Sequence, residues 1–251
     1  MSGVNLAPRP SRRAQRVAER AGKPAASHVG TFRKDIQGLR AIAVGLVLLA
    51  HAGVPGVSGG YIGVDVFFVL SGFLITGIIV REIDKTGRLR LWNFWARRVR
   101  RLLPAASLVL VFVTAGTMLT LPLSRWLSIA GDVVGGAFYY INWRFALNSV
   151  DYMAAESAAS PVQHYWSLSI EEQFYVVLPM LIIAMIFSYR VFAKRKLAPK
   201  HLIVMLTPIV VASFIWSAYY TSVAAAPAYF VSTTRAWEMG VGSILALAAA
   251  G

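Results

Sequence analysis

Arg40 and His51 stand eleven residues apart in the otherwise apolar stretch GLRAIAVGLVLLAHAG. Eleven helical steps of about 100° return to within roughly 20° of the starting azimuth, so a helix puts both side chains on one face. Along the axis they are about 16 Å apart, too far to touch. Ionisable groups in an apolar helix are costly and by default mark a functional site. An imidazole takes or releases a proton near neutral pH, which makes His51 a candidate general base toward a hydroxyl, and Arg40 suits an anionic group. The plainer alternative is an arginine reaching headgroups and a histidine resting at an interface.

Four further stretches carry chemistry-bearing residues. The glycines of GGYIGVDVFFVLSGFLI permit a tight turn. A short hairpin there brings Asp65 to His51, where a carboxylate would orient the ring and stabilise its cation; the alternative is a charge at a helix N-terminus. RLRLWNFWARRVRRLLP reads as an amphipathic interfacial helix running into a span. HYWSLSIEEQFYVVLP sets Glu171 and Glu172 in a first helical turn, where they also suit the dipole. Adjacent residues point about 100° apart, so at most one of the two faces the same cavity as His51, to meet sugar hydroxyls or an arginine. Tyr165 and Trp166 read as a membrane-interface belt, with a sugar-stacking surface as the alternative. In TTRAWEMGVG, Arg235 and Glu238 share a helical face, either as an ion pair or as partners closing a polar core with Glu171 or Glu172 around His51. His164 and His201 read as interfacial, and no pair has convincing metal-ligand spacing, so no metal is expected.

The elements that must hold these residues are membrane helices. Of 251 residues, 57% are hydrophobic and 14% charged, against roughly 25% charged in soluble domains. The fold class is an all-α polytopic transmembrane bundle with about six spans, at 36–52, 64–83, 102–121, 169–189, 202–221 and 233–250. Eight basic residues before Asp35, eight in 81–101 and five in 190–200 place those segments, and the N-terminus, in the cytoplasm. Residues 1–34 read as a disordered basic cytoplasmic tail and 35–251 as the membrane domain. Residues 124–166 read as an outer-face loop with a re-entrant or interfacial helix. The net charge of +14 alternates with apolar runs instead of lining a polar surface, which favours lipid headgroups and an anionic small molecule over nucleic acid. The chain has no cysteine, so thiol chemistry does not enter.

Arg40 followed by His51, GGYIGVDVFFVLSGFLI, FWARRVRRLLP and YWSLSIEEQFYVVLP, in this order, resemble the acyltransferase 3 family of integral membrane O-acyltransferases, the lipopolysaccharide and O-antigen acetylase type. The resemblance implies transfer of an acyl group, usually acetyl, from cytoplasmic acyl-CoA to a hydroxyl of a cell-envelope carbohydrate or glycolipid, in a bacterial inner membrane. It implies His51, Asp65 and Glu172 as catalytic residues, Arg40, Arg97, Arg98 and Arg101 as contacts to the donor and its phosphates, and Glu171, Trp166, Arg235 and Glu238 as acceptor contacts. Family members typically have ten or more membrane helices, so the apolar ending VGSILALAAAG is read as a C-terminal truncation. Two alternatives stand beside this reading: a proton-coupled carrier with a relay through Arg40, His51, Asp65 and Glu172, or a non-catalytic fragment of such an acyltransferase.

Overall fold

A computed structural model describes residues 34–149, 159–193 and 198–250. The basic tail expected before Asp35 lies almost wholly outside the described residues. The chain divides into two units between Gly38 and Leu39; of the first, residues 34–38 are described, as the opening of helix α1, and all packing below belongs to the second.

Among the described residues the structure is helical, with no strand. The helices are α1 (Lys34–His51), α2 (Ile62–Thr86), α3 (Leu91–Thr120), α4 (Leu123–Ala137), α5 (Ile141–Asn148), α6 (Tyr165–Ala193), α7 (Pro199–Val223), α8 (Ala225–Phe230) and α9 (Ser232–Ala248), with a 3-10 turn at Ser58–Tyr61. All six expected spans are helices. Four of them, in α2, α3, α6 and α7, are long and apolar enough to cross a membrane. Between Leu123 and Asn148 the expected outer loop is two helices, α4 and α5, with residues 150–158 outside the description. Leu108, Phe112 and Leu119 of α3 and Val204 and Phe214 of α7 stand exposed on their helices, a surface that suits lipid tails and would be costly in water.

Glycines set the closest helix approaches, as small residues do in membrane bundles. A Cβ on Gly63 of α2 would lie 2.3 Å from the carbonyl oxygen of Ala43 in α1. Between α2 and α9 the contact is reciprocal, because a Cβ on Gly72 would fall 2.0 Å from the Met239 oxygen and one on Gly242 1.9 Å from the Val69 oxygen. Around this seam a core of Ile75, Ile79, Phe94, Leu178, Ile182 and Leu247 joins α2, α3, α6 and α9.

Helix α3 packs along α6 through polar pins. Pro179 has no N–H to offer the carbonyl four residues before it, which frees the oxygen of Tyr175. Trp95 Nε1 donates to that oxygen at 3.1 Å, and Tyr165 donates its hydroxyl to the Ala106 oxygen at 2.8 Å. The basic stretch runs, as expected, straight into the span that follows it, as nearly half of one continuous helix, and it is tied to α6 by these bonds.

Candidate active site

A groove of about 280 Å³ opens between α1, α2 and α6. Helix α1 contributes Ala43, Val44, Val47 and Leu48 to it, all lying between Arg40 and His51. Arg40, Val44, Val47 and His51 follow at steps of four, three and four, the spacing of one helical stripe. At one end the Arg40 guanidinium stacks over the ring of Phe67, a groove residue, 4.7 Å from its centroid. At the other end, the exposed His51 holds Nδ1 2.8 Å from the carbonyl oxygen of Val47, also a groove residue. A carbonyl only accepts, so Nδ1 carries the proton and Nε2 of the neutral ring keeps its lone pair. Neither residue lines the groove, and each flanks it by touching one that does, Phe67 for Arg40 and Val47 for His51.

Asp65 does not orient this ring. It accepts from Arg235 at 2.9 Å, and Arg235 also bonds Glu238 at 3.0 Å. The reason is register: α9 lies so close to α2 that its guanidinium reaches the head of α2, while the His51 ring turns to the Val47 carbonyl of its own helix. Glu238 is buried, with Oε1 on Arg235 and Oε2 without a partner in the structure. The intrahelical pair expected for Arg235 and Glu238 is present, widened to a third member on another helix.

Nor do the α6 carboxylates close a core around His51 with Arg235. Three consecutive residues of α6 take three different partners, as steps of about 100° require. Glu171 is buried and accepts hydroxyls from Ser71, at 2.6 Å, and from Tyr175. Of the two, Glu171 lines the groove. Glu172 accepts from Arg98 at 3.0 Å, and that guanidinium lies over the Tyr175 ring 3.4 Å from its centroid. Gln173 donates to the carbonyl of Tyr139 at 2.7 Å and to Asn142 at 2.9 Å, and accepts from Ser232 at 2.5 Å. Tyr139 has φ 56°, a left-handed conformation unusual for a tyrosine, and the Gln173 bond holds it there. Burial, and then the Glu172 carboxylate, push the Tyr139 phenol above its ordinary value, with Arg98 opposing.

The arginines expected to act together on phosphates separate. Arg98 turns inward to Glu172, Arg97 pairs with Glu82 at 3.2 Å on an exposed face, and Arg101 is exposed. Trp166 is neither a belt nor a stacking platform. It is buried, with Phe68 edge-on at 6.1 Å and Tyr229 at 4.7 Å between ring centroids, so its faces are spent on packing.

Ser71, Tyr175, Gln173, Asn142 and Tyr139 are site neighbours that the sequence reading passed over. For Gln173 a signal existed, since it continues the polar run begun by Glu171 and Glu172. None marked Tyr139, whose backbone conformation depends on a side chain of another helix.

Residues 33–248 match the acyltransferase domain that defines the acyltransferase 3 family, and the chain belongs to that family. It is 36% identical over 214 residues to the peptidoglycan O-acetyltransferase OatA of Listeria monocytogenes, which covers 84% of this chain and 33% of OatA. YrhL of Bacillus subtilis, assigned provisionally to the same activity, is 35% identical over 212 residues, 84% of this chain and 32% of YrhL. The chain thus spans about a third of the length of these curated relatives. No solved structure matches.

Proposed function

We propose that the chain forms the donor-side part of a membrane O-acetyltransferase, moving acetyl from acyl-CoA on the cytoplasmic side to a hydroxyl of an envelope carbohydrate. What carries this reading is the groove and the two residues that flank it: a cation on the groove residue Phe67, an imidazole held through Nδ1 on the groove residue Val47, which leaves Nε2 as the acceptor of its neutral form, and apolar walls between them. Arg40 suits the anionic part of the donor and His51 the reacting end. In the reaction, Nε2 accepts the proton of the acceptor hydroxyl as its oxygen bonds to the thioester carbon. The tetrahedral adduct then expels the thiolate, which takes the proton back from the imidazolium, leaving an ester and a free thiol. The printed activity of OatA makes peptidoglycan the first acceptor to try, ahead of lipopolysaccharide and glycolipids. Under this reading the N-terminus is cytoplasmic in a bacterial inner membrane, and Arg97 and Arg101, which remain on an exposed face, serve the phosphates better than Arg98 does. The carrier alternative draws less support, since Asp65, Glu172 and His51 each bond to a different group rather than to one another.

The test is transfer of labelled acetyl from acetyl-CoA to envelope glycan by the full-length protein in membranes. His51→Ala at matched expression is expected to lose about a hundredfold or more of the rate. Unchanged transfer in the variant would remove His51 as the base, and no transfer by the unsubstituted protein would overturn the donor.

A further inference from the structure

Glu171 is the acidic residue in the wall of the trough. Both hydroxyls that serve it, those of Ser71 and Tyr175, converge on Oε1, so Oε2 remains as an acceptor. The surfaces around it are apolar: Val44 and Val47 from α1, Val64 and Phe67 from α2, and Leu168 one turn earlier on α6. The other hydroxyl at this wall, Ser167, is turned to the carbonyl oxygen of His164 at 3.3 Å. An ionised carboxylate only accepts, so such a wall selects a ligand that is apolar along its length and offers an N–H part of the way along.

We propose that Glu171 accepts the N–H of an amide in the arm that carries the acyl thioester, making it a donor-specificity residue. The proposal rests on the thioester-donor reading above and adds to it the group that the protein reads between the two ends of the trough. Toward the thioester, the arm of coenzyme A has two secondary amides joined by short methylene segments, with a dimethyl-branched unit bearing one hydroxyl beyond them. Its N–H groups thus interrupt a largely apolar length, as the acceptor interrupts these walls; the hydroxyl is common to both arms compared below. Ser71 and Tyr175 are positioning residues here. By occupying Oε1 they fix the carboxylate plane and leave one oxygen for the ligand.

The experiment uses the full-length protein in membranes and three probes: acetyl-CoA, S-acetyl-pantetheine, and an analogue of the latter in which ester oxygens replace both amide N–H groups. The unsubstituted protein is expected to bind S-acetyl-pantetheine about tenfold more tightly than the ester analogue, as a hydrogen bond to a charged group implies. In Glu171→Gln, a weaker acceptor, the preference is expected to fall to about threefold or less. Being a ratio within one sample, this readout does not depend on how much of the variant folds. Equal affinity of the unsubstituted protein for the two arms overturns the proposal. So does a Glu171→Gln variant that weakens both equally and keeps the ratio, since Glu171 would then act only as a tie between α2 and α6. If acetyl-CoA is used but the arms are not distinguished, the Glu171 assignment alone falls; if no thioester binds, the donor reading falls with it.

Discussion

Two neighbourhoods at the head of helix α2 differ in how their residues are tied. Along the trough, Arg40 and His51 make contacts a ligand can share or replace: a stacking contact on Phe67 and one hydrogen bond to a carbonyl of the same helix. Beside Asp65, by contrast, one guanidinium is claimed by two carboxylates and sits near the ring of Tyr229, 4.8 Å from its centroid. Residues that must meet a substrate keep capacity in reserve, whereas residues that hold helices together spend it on one another. On that ground we propose the trough as the site and the Asp65–Arg235–Glu238 knot as its frame, although a sequence reader meets the same residue types in both.

Substitutions on the two sides should separate accordingly. His51→Ala is expected to abolish acetyl transfer while leaving the thermal unfolding of the purified protein where it was, because the ring is exposed and its one bond is local; a large fall in melting temperature would put His51 in the frame. Arg235→Ala should cost about 3–5 kcal/mol by leaving two carboxylates without their cation, read as loss of folded protein, with partial recovery when Asp65→Asn is added. Gly242→Ala forces α9 away from the Val69 carbonyl and should cost about 1–3 kcal/mol, measured the same way. Smallest of all, Arg97→Ala should change stability by less than about 1 kcal/mol, since its pair with Glu82 is exposed, and should raise the KM for acetyl-CoA if it meets a phosphate. Arg98→Ala makes the matching control: bonded to Glu172 and stacked on Tyr175, it should cost about 1–3 kcal/mol.

Much of this frame was legible from residue order. Apolar runs marked every long helix, and the three-residue step from Arg235 to Glu238 forecast their pair. The 100° step between Glu171 and Glu172 forecast that they would part company, and they do. The Asp65 expectation failed for an equally physical reason. A tight hairpin brings two helix ends together without determining which long side chain arrives first, and Arg235 reaches in from a helix that the local sequence does not mention. Trp166 was misjudged because an aromatic beside a tyrosine at a helix start looks alike whether it faces lipid, sugar or the rings of Phe68 and Tyr229.

What the sequence by itself determined is what a single helix determines: that the chain is a set of membrane helices, and that Arg40 and His51 share a stripe, since azimuth follows from residue number alone. Tertiary structure alone decided the pairings, Ser71 with Glu171, Arg98 with Glu172 and Asp65 with Arg235, which join residues 100, 74 and 170 positions apart. Those partners are chosen by the register and depth at which helices interlock, here set by glycines such as Gly63, Gly72 and Gly242 that bring backbones into contact, and no local pattern encodes which carbonyl a missing side chain will meet.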